Sequence, residues 1–127
     1  MTKNTLILII DDDNRNIFAL KMVLKSKGFD CIAANSVTEG IKLLEQYPET
    51  TLVLMDMMMP EIDGYEGISV IKDHEKTKKT PVIAVTAQAM LGDKEKCLAA
   101  GAADYISKPI DIDKLLHSIA KVLNDRT

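Results

Sequence analysis

Leu6-Ile7-Leu8-Ile9-Ile10-Asp11-Asp12-Asp13 is the stretch on which the fold turns. Five aliphatic residues in a row are too few for a helix, and no polar residue alternates with them. A strand that is apolar at every position is covered on both faces, the condition of a parallel sheet with helices above and below. Three further runs repeat the pattern, Cys31–Ala34, Leu52–Met55 and Val82–Val85, and Ala103–Ile106 does so more weakly.

Segments with helical spacing separate these runs. Ile17, Leu20 and Leu24 recur at steps of three and four. Ile41, Leu44 and Tyr47 do the same behind Ser36-Val37-Thr38-Glu39, in which Ser36 and Glu39 fit a capping box. Ile68 to Ile71 continue a helix that begins near Gly64, and Ile112, Leu115, Ile119 and Val122 stripe the last one behind Asp111 as cap. Strand and helix thus alternate five times, and right-handed crossovers turn that order into a doubly wound α/β domain. No internal repeat, low-complexity stretch or linker interrupts it, so residues 1–127 read as one domain. Lys72, Lys76, Lys78 and Lys79 read as a solvated connection into the fourth strand.

Composition narrows the function. The 127 residues are 46% apolar and 28% charged, which excludes intrinsic disorder. Sixteen Lys and Arg against nineteen Asp and Glu leave a net charge of −3, so direct binding of nucleic acid is not expected. The five-residue run Leu6–Ile10 is far short of the roughly 20 residues that span a bilayer. Three aspartates follow it where a signal peptide would carry small residues. Cys31 and Cys97 form neither a metal motif nor a disulfide framework, which fits a reducing cytoplasm.

In open α/β sheets, ligands sit beyond the carboxyl ends of the strands, where the strand order reverses. Asp11, Asp12 and Asp13 follow the first run and Asp56 follows the third, so adjacency of those strands would bring at least three carboxylates together. Two such charges about 4 Å apart repel by about 4 kcal/mol at an effective dielectric near 20, so the cluster calls for a cation. All-oxygen ligands with positions left for water and phosphate suit Mg²⁺, or Mn²⁺ in its place. One of the three, Asp13, is expected to cap the first helix. Thr86 ends the fourth run and Lys108-Pro109 follows the fifth. A hydroxyl, an ammonium and a carboxylate-bound cation at one rim would stabilise a tetrahedral anion.

The ordered set Ile9-Ile10-Asp11-Asp12, Leu54-Met55-Asp56-Met57-Met58-Met59-Pro60, Asp63-Gly64, Thr86-Ala87, Gly101-Ala102 and Lys108-Pro109 resembles the receiver domain of two-component response regulators, over essentially the whole chain. The intervals agree as well: 44 residues from Asp12 to Asp56, 30 more to Thr86 and 22 more to Lys108. The resemblance implies a flavodoxin-like (CheY-like) fold, a five-stranded parallel sheet in the order 2-1-3-4-5. It implies that Asp56 is phosphorylated from the phosphohistidine of a histidine kinase or phosphotransfer protein. Asp12, Asp56 and the backbone carbonyl of Met58 would be direct Mg²⁺ ligands, and Asp11 would hold a metal-bound water. Thr86, Lys108 and the amide of Ala87 would meet the phosphoryl oxygens. Tyr105 would turn inward on phosphorylation and reshape the face of helix 4, strand 5 and helix 5 for an effector protein. A cis bond is expected at Lys108–Pro109. Such a chain would be no enzyme beyond catalysing its own phosphorylation and dephosphorylation.

Rival readings fit less well. A haloacid-dehalogenase-type phosphatase needs a second acid two residues after its nucleophile, where this chain has Met58. A flavodoxin needs a hydroxyl- and glycine-rich phosphate loop where this chain is acidic. A histidine phosphotransfer protein is a helical bundle, and His74 and His117 read as surface residues. Within the family, a stand-alone regulator is the expectation, with the receiver piece of a hybrid sensor histidine kinase as the alternative, which Ala87-Gln88-Ala89-Met90 to Gly92-Asp93-Lys94 resembles.

Overall fold

Strand and helix alternate along the computed structural model, which describes residues 5–58, 64–75, 77–86 and 93–124. The elements are β1 (Thr5–Ile10), α1 (Asn14–Ser26), β2 (Phe29–Ala34), α2 (Val37–Gln46), β3 (Leu52–Asp56), α3 (Gly64–Asp73), β4 (Val82–Thr86), α4 (Asp93–Ala100), β5 (Asp104–Ser107) and α5 (Ile112–Asn124). Among the described residues the strands form one parallel sheet in the order β2-β1-β3-β4-β5. This is the doubly wound architecture that the apolar runs predict.

Alternate residues of each central strand feed two separate cores. Leu8, Ile10, Val53, Met55, Val82 and Ala84 pack with Val37 and Leu44 of α2, Ile68 and Ile71 of α3, and Cys97 of α4. Ile7, Ile9, Leu52, Leu54, Ile83 and Val85 pack with Ile17, Leu20 and Leu24 of α1 and Leu115, Ile119 and Val122 of α5. A fully buried aliphatic side chain contributes about 1.5–3 kcal/mol, so these two layers hold the strand ends in fixed register.

The helix ends follow the sequence signals, with two departures. Asp13 caps α1 by accepting from the Arg15 amide at 2.9 Å, Ser36 caps α2 from Glu39 at 3.2 Å, and Asp111 accepts from Lys114 at 3.2 Å ahead of α5. Tyr47 does not continue α2. It is the C-cap, its N–H donating to the Leu43 carbonyl, because Pro48 cannot extend the helix. Lys72 is not simply solvated either, since its Nζ donates to the carbonyls of Lys78 at 3.3 Å and Thr80 at 2.9 Å. That ammonium ties α3 to the turn that enters β4. Gly101 takes φ +117° between α4 and β5, where an added Cβ would meet the Lys72 Cγ at 3.1 Å. Only glycine adopts that turn without strain.

Candidate functional site

Register delivers the polar groups to one rim. Ile10 pairs with Met55, so Asp11 and Asp56 leave their strands at the same level. Asp56 pairs with Val85 and Thr86 with Ser107, which puts Thr86 and Lys108 one step further along the same edge. Backbone bonds pin this level: Met57 N–H to the Val85 carbonyl at 2.8 Å, and Lys108 N–H to the Thr86 carbonyl at 2.7 Å.

The carboxylates converge. One oxygen each from Asp11, Asp12 and Asp56 lies within 4.8 Å of the others. Asp11 and Asp56 are buried at 3% and 4% exposure, while Asp12 is exposed. Lys108 Nζ stands 3.7 Å from Asp56 Oδ1 and 3.9 Å from Asp11 Oδ2. Among the described residues one ammonium therefore faces two buried carboxylates and a third at the mouth, which leaves a net negative pocket of hard oxygen ligands. That donor set fits Mg²⁺ or a similar divalent ion. Asp13 points away as the α1 cap, and its 3.9 Å approach to the fully solvated Arg15 adds little.

Asp56 is under opposing influences. Burial pushes its carboxyl above the ordinary range, the Met58 amide draws it back down, the Asp11 charge pushes it up again, and Lys108 pulls it down. The Met58 N–H donates to Asp56 Oδ1 at 3.0 Å and fixes the carboxylate plane. Met57 is buried, whereas Met58, two residues past Asp56, is half exposed.

Thr86 is buried at the end of β4. The Lys108–Pro109 peptide bond is cis. Tyr105 is half-buried against the α2–α4 core and lines a cleft of about 140 Å³ with Ile106, Ser107, Pro109, Asp111 and Lys114. The Ser118 hydroxyl donates to Asp104 Oδ2 and so fastens β5 to α5. Ala87 and Gln88 lie outside the described residues, as do Met59, Pro60 and Asp63.

Two asparagines join the site that sequence patterns did not single out. Asn16, in the first turn of α1, donates its side-chain amide to Asp11 Oδ2. Asn35 donates to Asn14 Oδ1 at 2.6 Å and to the Asp11 carbonyl at 3.4 Å, clamping the acidic loop against the end of β2. A polar residue on a half-exposed helix position carries no periodic signal. Only the five-residue offset from Asp11, one turn past the cap, could have pointed to Asn16.

Similarity to known proteins points to one family. The family model described as response regulator receiver domain matches residues 7–120. The polar-differentiation response regulator DivK of Brucella ovis is 36% identical over 126 residues, covering 98% of this chain and 99% of DivK. A response regulator receiver protein from Pseudomonas putida superposes with a TM-score of 0.83 at 28% identity, over 95% of this chain and 99% of its own. The signal receiver domain of a signal transduction histidine kinase from Syntrophus aciditrophicus gives 0.85 at 27% identity, over 95% and 91%. No helix among the described residues is long and apolar enough to cross a membrane.

Proposed function

Because the chain belongs to the response regulator receiver domain family, we propose that it accepts a phosphoryl group on Asp56 from the phosphohistidine of a histidine kinase or phosphotransfer protein. The observation that carries this reading is the pocket itself, with three carboxylate oxygens within 4.8 Å and an ammonium 3.7 Å from Asp56. The receiver unit is read as extending over residues 1–127, acting in the cytoplasm and through protein contacts.

Asp56 is suited to attack phosphorus because a carboxylate needs no general base. Its oxygen forms the new bond to phosphorus as the bond to the donor imidazole nitrogen breaks, leaving an acyl phosphate. The Met58 amide holds the carboxylate in one orientation, and Lys108 is placed to follow charge onto the phosphoryl oxygens. Thr86, buried at the end of β4, is read as completing that set, and the Ala87 amide expected beside it lies outside the described residues. A divalent ion, Mg²⁺ or Mn²⁺, held by Asp12, Asp56 and the Met58 carbonyl with Asp11 behind it, would neutralise charge on the phosphoryl group. The work of the protein is then positioning and charge compensation, as phosphoryl transfer requires. Tyr105, half-buried on β5, is read as the element that reports phosphorylation to an effector at the α4–β5–α5 face.

The test is incubation with Mg²⁺ and acetyl phosphate followed by intact mass measurement. Addition of one phosphoryl group that chelation with EDTA prevents is the expected outcome; unchanged mass in both samples would refute the reading. The half-exposed Met58 thioether cannot orient a water for attack on the acyl phosphate. Met58→Asn is therefore expected to shorten the phosphorylated lifetime severalfold, read as the decay of the heavier mass after the donor is removed. An equal or longer lifetime would contradict it.

A further inference from the structure

We propose that Asn16 sets the ion preference of the site by holding Asp11 out of direct coordination. This rests on the reading above, in which Asp11, Asp12 and Asp56 surround a divalent cation, and adds a role for a residue that touches none of the reacting atoms.

The acidic loop and the first turn of α1 are wired in an unusual way. In a capping box, the third helical residue reaches back to the N–H of the cap. Here the cap is Asp13, and its N–H is taken by Asp11 Oδ1 at 2.8 Å. Asn16, which occupies the third helical position, reaches back to Asp11 Oδ2 instead. Lys108 Nζ stands 3.9 Å from the same oxygen. Both oxygens of this buried carboxylate are therefore engaged by donors of the protein, whereas Asp12 next to it is exposed. Hydrogen bonds to a charged group are stronger than those between neutral groups, and together they decide which way a carboxylate faces.

The consequence is a ligand count. With Asp11 held back, the chain offers few direct oxygens and leaves the remaining positions to water and phosphoryl oxygen, an arrangement suited to small octahedral Mg²⁺. Ca²⁺ takes six to eight oxygens in looser geometry and gains most from each additional carboxylate. Loss of the Asn16 amide frees Oδ2 to turn toward the ion, and that turn favours Ca²⁺ over Mg²⁺. Asn16 is thus a positioning residue, acting only through Asp11.

The experiment is calorimetric titration with Mg²⁺ and separately with Ca²⁺ on wild type, Asn16→Ala, Asp11→Asn and the double variant. Asn16→Leu, close in size but lacking the amide, serves as the second single substitution. Both Asn16 variants are expected to lower the preference for Mg²⁺ over Ca²⁺ about tenfold. In the Asp11→Asn background the Asn16 change should no longer move it. A ratio unchanged within twofold in both Asn16 variants, or a shift that persists without the carboxylate at position 11, would overturn the proposal while leaving the metal site standing. A wild-type chain that binds neither ion would overturn both.

Discussion

Asp56→Asn is expected to take up no phosphoryl group from acetyl phosphate and, in the absence of divalent ions at pH 7, to melt higher than wild type. The two effects share a cause. Asp56 is buried at 4% exposure beside the Asp11 charge, and its carboxyl is pushed above the ordinary range first by burial. A carboxyl whose folded-state pKa exceeds its unfolded value binds its proton more tightly when folded. Its favourable contribution is therefore complete below the unfolded value and is lost as pH rises through the folded one. At neutral pH the charge on Asp56 is a cost that the amide removes. That gain is expected to be about 1–2 kcal/mol, or about 4–8 °C in Tm for a domain of this size. It should shrink as pH is lowered toward 4. Mg²⁺ at about a hundredfold excess over its Kd should then stabilise wild type by about 2.7 kcal/mol and the variant far less. Melting curves across pH, with and without Mg²⁺, check all three; a variant that melts lower than wild type at pH 7 without divalent ions contradicts the electrostatic account.

Lys108→Ala should carry the second large effect. Its ammonium faces Asp56 Oδ1 at 3.7 Å and Asp11 Oδ2 at 3.9 Å, and its side chain is 27% exposed. Removing one preorganised charge partner of a developing anion commonly costs about 10²–10³ in rate. The rate of mass gain with acetyl phosphate at saturating Mg²⁺ should fall by about that factor. Asp56 loses the Lys108 charge that draws its carboxyl down, so the pH at which uptake fails in acid should move upward. Lys108→Arg keeps the charge but replaces a compact ammonium with a broad fork, and should recover only part of the loss. A rate within threefold of wild type in Lys108→Ala would remove this residue from the phosphoryl site.

The central strands were legible because they are buried on both faces, and the edges were less so for the opposite reason. β1, β3 and β4 appear as unbroken apolar runs, and each extends by one residue beyond the run. For β3 and β4 the added residues are Asp56 and Thr86, polar groups that belong to the strands and are aimed by them. β2 lies at the sheet edge and starts two residues before its apolar run, since Asp30 can face solvent there. β5, the other edge, runs Asp104–Ser107 and not Ala103–Ile106, with Ser107 exposed. α4 has no apolar stripe to announce it, with Cys97 its buried anchor among charged neighbours.

The site divides in the same manner. Carboxylates at strand ends can be placed from order alone, because a parallel sheet sends every strand's carboxyl end to one rim. The strand order itself comes from resemblance. Position alone brings Thr86 and Lys108 to that rim as partners for a tetrahedral anion, and resemblance makes that anion a phosphoryl group on Asp56. Asn16, Asn35 and the Lys72 tether depend on how far a side chain reaches across a loop, which linear spacing does not encode.

The most direct measurement is the position of the modified residue. Wild-type chain phosphorylated with acetyl phosphate and Mg²⁺ is reduced with borohydride, which converts an aspartyl phosphate to homoserine, and then digested and mapped by mass. Homoserine is expected at position 56, with unmodified aspartate at positions 11, 12 and 13. Homoserine at any of those three, or a phosphoryl group that survives reduction on a hydroxyl or imidazole, would contradict it.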